Sequence, residues 1–522
     1  MKASPLRHLP PSLTSLPAMR PAPVFALVLT LVTPALGLAA APAPAPLAAE
    51  ARAGLARATA FLRGISTGGG YLWRYSPDLR ERAGENTATP TQVWVQPPGT
   101  PAVGEAFLRA WEVTGDPAYL DAAQAAADAL ATGQLESGGW DYLIEFDPAL
   151  ASAWYRRTDV GRISPAEGAK RKNTTTFDDD NTQSALRLLV AVVAASPAPG
   201  GEREARLRAA RDYGLRRLLE AQRPNGGWPQ RWNGQRVDPA EYPVRPARLP
   251  ADYPREYPKT NYNGHYTLND NTQRDCIQTL LEAARATGNA EYRAAALRGV
   301  DFLLLAQLPE PQPVWAQQYN PQLEPAWARA FEPPSVCSSE SVGALRLLIE
   351  MHLETGDARY LAPVPRALAW FARSEIALGR WARMYELGTN RPIYGDRDGR
   401  IKYRLEELSE ERRTGYSWES DYGVPSLRRQ YEEVRAQGRD ALLAKRRATE
   451  EKARSATGRA AQARTLEPKV RAALAALDAE GRWLAPAGRR TPGPWITTSA
   501  YLANARVLCD YLEAVRPAAF QR

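Results

Sequence analysis

Apolar residues recur along this chain at intervals of three and four, and two kinds of break alternate between the runs. From Val103 to Leu130, "VGEAFLRAWEVTGDPAYLDAAQAAADAL", the apolar positions keep a helical period on both sides of a Thr-Gly-Asp-Pro break. Gly at that place ends one helix, Asp caps the next, and Pro suits its first position. The device returns as "TGNAEY" (Thr287 to Tyr292) and "TGDARY" (Thr355 to Tyr360), so the pattern predicts repeated helical hairpins. The second kind of break is longer, rich in Gly or Pro, and carries a Trp: Trp140, Trp228, Trp315 and Trp483. Short turns alternating with long loops predict an all-α fold, an α/α toroid of hairpins with the Trp-bearing loops on one face. An open solenoid is the structural alternative. A face built of long loops is where a binding groove sits.

Two stretches depart from the pattern. Val237 to Gly264 is rich in Pro and Tyr and reads as a long ordered loop. Arg404 to Arg471 is densely charged with both signs, which predicts an exposed, solvated helical insertion at about 425–465; a partner-binding arm is the sharper alternative. At the N-terminus, Arg20 precedes a short apolar run interrupted by Pro34 and ending in small residues, the pattern of a secretory signal. The expected organisation is a signal at 1–41, a stiff Pro/Ala tether at 42–50 and one toroid domain at 51–522. An uncleaved anchor is the alternative for the signal.

Composition narrows the chemistry. The formal charge is +9, and loss of Lys2, Arg7 and Arg20 with the signal leaves a mature chain that is still basic. That chain is expected to be secreted or periplasmic, without a membrane span, and monomeric. Basicity is not gathered into one face-forming run, which argues against nucleic acid as partner. Three cysteines, Cys276, Cys337 and Cys509, are too few for a disulfide scaffold and lack zinc-site spacing. With His8 in the signal, only His265 and His352 remain, so a base must come from another residue type.

Two acidic segments stand out. "TTTFDDDNTQ" (Thr174 to Gln183) and "HYTLNDNTQ" (ending at Gln273) each write Asp-Asn-Thr-Gln before an apolar helical run. Helix capping by Asp and Asn is the plain reading. Three successive aspartates, Asp178, Asp179 and Asp180, exceed that need, and like charges at close range call for a cation between them. Oxygen ligands without His or Cys favour calcium, with magnesium or manganese behind it. An Asp cluster holding magnesium for a pyrophosphate is a rival that the export signal weakens.

Arginines and aromatic rings form the third signal. Arg329 is the one cation of "VWAQQYNPQLEPAWARAFEPPSVCSSES" (Val314 to Ser341). Arg380 to Trp418 holds Arg383, Arg391, Arg397, Arg400, Arg412 and Arg413 among Tyr385, Tyr394, Tyr416 and Trp418. Guanidinium forks take carboxylates and rings stack on sugars, so a groove with both suits an anionic polysaccharide. Pairing with Glu386, Asp396 and Asp398 is the plain alternative for these arginines.

"QPPGTPAVGEAFLRAWEVTGD", "TTFDDDNTQ", "YTLNDNTQ", the Val314 to Ser341 block and "RMYELGTNRPIYGDRDG" together resemble family 10 polysaccharide lyases, pectate lyases with an α/α toroid fold. The resemblance runs from about residue 50 to the C-terminus. It implies cleavage of polygalacturonate (pectate) by calcium-dependent β-elimination, with calcium on Asp178, Asp179 and Asp270. It also implies an arginine base, Arg397 by its place in the block and Arg391 as second choice. Arg329, Arg383 and Arg412 would grip substrate carboxylates, with Tyr416 beside them. The rivals are a toroidal glycoside hydrolase, with Asp141, Glu145 and Asp179 as its carboxylates, and a polysaccharide-binding protein without catalysis.

Overall fold

The computed structural model describes residues 45–196, 200–487 and 493–516. The expected signal and the start of the tether lie outside them. Among the described residues are thirteen helices of ten residues or more. They are Ala45–Gly64 (α1), Thr100–Thr114 (α2), Pro117–Gly133 (α3), Asn181–Ala195 (α4), Glu202–Ala221 (α5), Thr272–Thr287 (α6) and Ala290–Ala306 (α7). Ser338–Thr355 (α8), Val364–Arg373 (α9), Val424–Gln437 (α10), Arg439–Arg454 (α11), Ala456–Ala475 (α12) and Thr498–Ala514 (α13) follow.

Packing runs continuously around these helices. The C-terminal α13 lies against α1 and α2; then α2 packs on α4, α4 on α6, α6 on α8, α8 on α10 and α11, α11 on α12, and α12 back on α13. The chain is therefore an all-α toroid of hairpins. Its tight turns form as their letters predict: Gly115, Gly288 and Gly356 adopt left-handed φ of 73°, 72° and 81°. Asp116, Asn289 and Asp357 then accept a backbone N–H two residues on, at 2.8–2.9 Å.

The long loops return from each outer helix to the N-terminus of the next inner one, which puts them on one face. Each buries its Trp and fixes it the same way. The indole N–H of Trp140, Trp228, Trp315, Trp381 and Trp483 donates to the carbonyl of Leu130, Leu218, Leu303, Phe371 and Ala473 at the end of the preceding helix, at 2.7–2.9 Å. Short antiparallel ribbons stiffen these loops. Those bearing on the site are Thr175–Thr176 (β1) with Arg231–Trp232 (β2), Tyr266–Thr267 (β3) with Gln318–Tyr319 (β4), and Ser335–Cys337 (β5) with Met384–Glu386 (β6), Pro392–Gly395 (β7) and Ile401–Lys402 (β8).

Two expectations are corrected. The tether at 42–50 is helical from Ala45, because Leu47, Ala51, Leu55, Ala58 and Leu62 form one buried stripe and Pro46 sits in the first turn, where it is tolerated. The charged segment is not one exposed helix but α10, α11 and α12, which complete the ring between α8 and α13. Leu427, Tyr431, Val434, Leu442, Val470 and Ala473 are buried beneath its charged outer surface. The Pro/Tyr loop is ordered as expected: Trp327 donates to the Pro254 carbonyl (2.8 Å), and the Tyr257 ring lies 5.7 Å from that of Trp327. The three cysteines are buried and free. No helix among the described residues is long and apolar enough to cross a membrane.

Candidate active site

β1 and β3 each run into a one-turn 3-10 segment before an inner helix: Asp178–Asp180 before α4, and Asn269–Asn271 before α6. Each turn holds two successive residues in the left-handed region, Asp179 (φ 54°) with Asp180 (58°), and Asp270 (49°) with Asn271 (61°). That conformation costs about 1–2 kcal/mol in an ordinary L-residue, and Asp and Asn enter it most readily. The turns are not there to cap the helices. Neither Asp180 nor Asn271, at the cap positions, makes a side-chain capping bond. The plain capping reading therefore fails here, although it holds at the tight turns on the other face.

The turns instead bring carboxylates together. They pack against each other, and the Thr272 hydroxyl donates to the Phe177 carbonyl (3.1 Å). One oxygen each of Asp178, Asp179 and Asp270 lies within 4.8 Å of the others. Asp178 is buried, accepts from Gln230 Nε2 at 2.8 Å, and leaves its Oδ1 buried without a hydrogen bond. The Tyr142 hydroxyl donates to Asp179 Oδ2 (3.1 Å), and Asn269 Nδ2 donates to Asp270 Oδ2. Burial, then the charge of Asp270, pushes the Asp178 carboxyl up to about 7. Burial and the neighbouring carboxylates raise Asp179 well above its usual range. Burial also raises Asp270, against the pull of Arg329 and Arg383. An all-oxygen donor set with an orphaned buried carboxylate oxygen fits a hard divalent cation such as calcium.

Beside the trio, four guanidiniums gather on two rings. Arg412 lies 4.3 Å, Arg329 5.0 Å and Arg397 5.4 Å from the centre of Phe331; Arg412 and Arg383 lie 4.9 and 5.0 Å from that of Tyr416. Gly395, at the end of β7, makes room for this cluster: a Cβ there would stand 2.1 Å from the Phe331 carbonyl oxygen. All four are bound to carboxylates. Glu332 takes Arg329 at 2.7 and 2.5 Å, and Glu340 takes Arg383 at 3.2 Å. Glu411 takes Arg397 fork-to-fork at 2.6 and 2.8 Å and Arg412 at 2.7 Å. The hydrogen bonds from Arg397 lead in holding Glu411 down to about 2. These partners are not the Glu386, Asp396 and Asp398 that sequence proximity suggested. Glu386 pairs with Arg255, and Asp398 with Lys402.

A sequence model of the pectic acid lyase family matches residues 149–380 and 378–426, together more than half of the chain. The chain belongs to the pectic acid lyase family. It is thus a polysaccharide lyase, and both acidic turns and all four clustered arginines fall inside the match. The structure is similar to a family 10 polysaccharide lyase from Cellvibrio cellulosa (24% identity, TM-score 0.43, covering 62% of this chain and 94% of that one). It is also similar to an aspartate-to-alanine mutant of that enzyme in complex with trigalacturonic acid (23% identity, TM-score 0.43, 65% and 98% covered). A cellobiose 2-epimerase from Spirochaeta thermophila is similar at 15% identity and TM-score 0.41, with 90% and 98% covered. At these scores the likenesses settle neither fold nor function. No curated protein matches.

Within the lyase, the structure separates the two arginines weighed as base, Arg397 and Arg391. Arg391 immediately precedes β7 and Arg397 follows its end, so the strand lies between them. Arg391 stacks on Tyr403 (3.9 Å), outside the Phe331–Tyr416 cluster. Glu145, conscripted for the hydrolase alternative, is buried and accepts from Gln92 Nε2 and the Asp147 amide at 3.0 and 2.9 Å. His265 is held down to about 4 by burial. One cation near the trio had no sequence signal: Arg231 on β2. It lies about fifty residues along the chain from Asp178 and comes near only because Thr176 pairs with Arg231 across the ribbon.

Proposed function

We propose that this lyase is a calcium-dependent pectate lyase, which cleaves polygalacturonate by β-elimination with an arginine as base. The observation that carries the reading is the meeting of Asp178, Asp179 and Asp270 with the arginine cluster on the loop face. Asp178, Asp179 and Asp270 would hold the ion. When bound there, calcium would neutralise the carboxylate of the sugar under attack and so make its C5 proton more acidic. Arg383 and Arg412, expected from the sequence to grip substrate, are buried and bound to Glu340 and Glu411, and would support the Tyr416 ring rather than reach the sugar. An arginine side chain in its neutral guanidine form takes the C5 proton, the C4–oxygen bond breaks with its electron pair leaving on the glycosidic oxygen, and a C4–C5 double bond forms without water. The expected products are 4,5-unsaturated oligogalacturonides. The mature enzyme is expected to act as a monomer outside the cytoplasm.

Two arginines compete for the role of base. Arg397 holds the motif position. One observation favours Arg329 instead: it is the cation acting most strongly on both Asp178 and Asp270. Glu332 and Glu411 keep both guanidiniums protonated at rest, so the rate should climb into alkaline solution. The test is the growth of ultraviolet absorbance on polygalacturonate, with calcium and after chelation, for wild type, R329K and R397K. Full activity after exhaustive chelation would sink the metal role. The variant that abolishes turnover, with binding retained, identifies the base.

A further inference from the structure

We propose that Arg231, flanked by Tyr142 and Tyr262, forms a carboxylate-binding subsite that takes a uronate residue next to the one attacked. This inference rests on the polysaccharide-lyase reading of the same cleft.

The argument begins with what the other arginines lack. Arg329, Arg383, Arg397 and Arg412 each already hold a carboxylate of the protein. Arg231 forms no ion pair among the described residues, and its Nε is buried without a hydrogen-bond partner. A half-buried guanidinium gives up hydration, and here no carboxylate within bonding distance replaces it; only longer-range attraction from neighbouring groups offsets the loss. The backbone nevertheless fixes it firmly. Arg231 stands opposite Thr176 in the β1–β2 ribbon, two residues before Asp178, and its amide donates to the Asn263 carbonyl (2.9 Å).

Its surroundings define the ligand. The Tyr142 and Tyr262 phenols and, from beyond ion-pair range, Asp178 and Asp141 all act on its charge. Tyr142 is tied to Asp179 through its hydroxyl, and Tyr262 feels Arg329 as well as Arg231. Arg231 is thus placed beside the trio, with its fork uncommitted and two phenols next to it. A planar fork takes a carboxylate in bidentate fashion, and phenols suit the hydroxyl-rich rim of a sugar. The ligand class is a free uronate carboxylate. A methyl ester at this position would forfeit the charge-assisted bonds, so the subsite should select de-esterified stretches of substrate.

The test uses the whole protein with calcium and compares wild type, R231Q and R231K. Three quantities are read: steady-state cleavage of polygalacturonate and of methyl-esterified pectin, calorimetric binding of trigalacturonate, and calcium affinity without sugar. R231Q should raise KM for polygalacturonate about tenfold or more. It should leave kcat within about twofold, narrow the preference over esterified pectin, and leave calcium affinity and melting temperature unchanged. R231K should recover part of the loss. Unchanged KM and trigalacturonate binding in R231Q would overturn the subsite while the lyase reading stands. So would a loss of calcium affinity equal to the rise in KM, since Arg231 would then only support Asp178. If wild type makes no unsaturated product yet binds trigalacturonate more tightly than R231Q, the lyase chemistry falls and the subsite survives. No trigalacturonate binding by wild type overturns the subsite.

Discussion

The two acidic turns share one backbone and differ in charge. Phe177 and Leu268 open them with φ of −99° each, and left-handed pairs follow at Asp179–Asp180 and Asp270–Asn271. Counted from the paired strands, Asp178 corresponds to Asn269, Asp179 to Asp270, and Asp180 to Asn271. The appearance of a simple repeat is misleading, because the shared letters Asp-Asn-Thr-Gln are one residue out of step with this backbone correspondence. The trio therefore has two members from the repeat, Asp179 and Asp270, and one, Asp178, that only the first turn supplies. The first turn's remaining carboxylate, Asp180, turns to Arg187 at 2.6 Å, and Arg187 also donates to Thr279 on α6 (3.2 Å). Symmetry of the hairpins brings the turns together, and departure from it sets the charge.

The sharpest way to break the comparison is to remove its shared member from either side. Asp179→Ala and Asp270→Ala should each abolish calcium binding and lower the rate on polygalacturonate by about 10²–10³-fold or more, the scale of losing a group that stabilises developing charge. Calcium titration and initial absorbance rates measure this. If one of the pair stays active while the other is dead, equivalence by backbone does not carry over to function.

Next in size is the exchange of the unshared position. Asp178→Asn gives the first turn the second's residue and should weaken calcium by about tenfold, since Gln230 still finds an acceptor there. Asn269→Asp gives the second turn the first's residue. It should tighten calcium and, in chelator, lower the melting temperature through repulsion within the cluster. If Asn269→Asp has no effect in chelator, the carboxylates are less crowded than the geometry states.

Much of this was legible in the sequence, and the limits are physical. The hairpins could be read because Gly, Asp and Pro each have one local use at a turn. Trp381 escaped although its Gly-Arg-Trp letters match those of Trp483 and its indole makes the same bond. Arg329, Arg383, Arg397 and Arg412 could be picked out as a group. Their partners could not: Glu340 reaches Arg383 through the β5–β6 pairing, and Glu411 is shared by arginines fifteen residues apart, Arg397 and Arg412. Arg231 depends on strand register, which local letters do not fix. The helical start at Ala45 was hidden by the prolines before it, and α10–α12 by their charged outer faces.

A smaller effect comes from pH without metal. Asp178 keeps its proton in the folded protein up to about 7, whereas an unfolded Asp releases it near 3.9. The folded state thus holds more protons between those values, and stability falls as pH rises from about 4 to about 7. In chelator the melting temperature should drop across this window; Asp178→Asn should flatten the drop in part, and calcium should suppress most of the rest. A melting temperature that rises through the window would mean these carboxyls are ionised in the folded protein.

The smallest effect should come from Asp180→Asn, which gives the first turn the residue of Asn271. Asp180 sits within the turn but its carboxylate binds Arg187, not the trio. One cost and one gain follow from the change. The ion pair with Arg187 weakens to a hydrogen bond from its guanidinium to a neutral amide oxygen, while the left-handed backbone is kept because Asn enters it as readily as Asp. Against this, a negative charge leaves a region where Glu105, Asp275 and Glu282 are all raised, partly by Asp180 itself. The terms oppose each other, so stability should change by about 1 kcal/mol or less, with calcium affinity and rate within about twofold of wild type. A loss as large as that of Asp179→Ala would put Asp180 among the ligands and show that the backbone correspondence misassigns which carboxylates face the cleft.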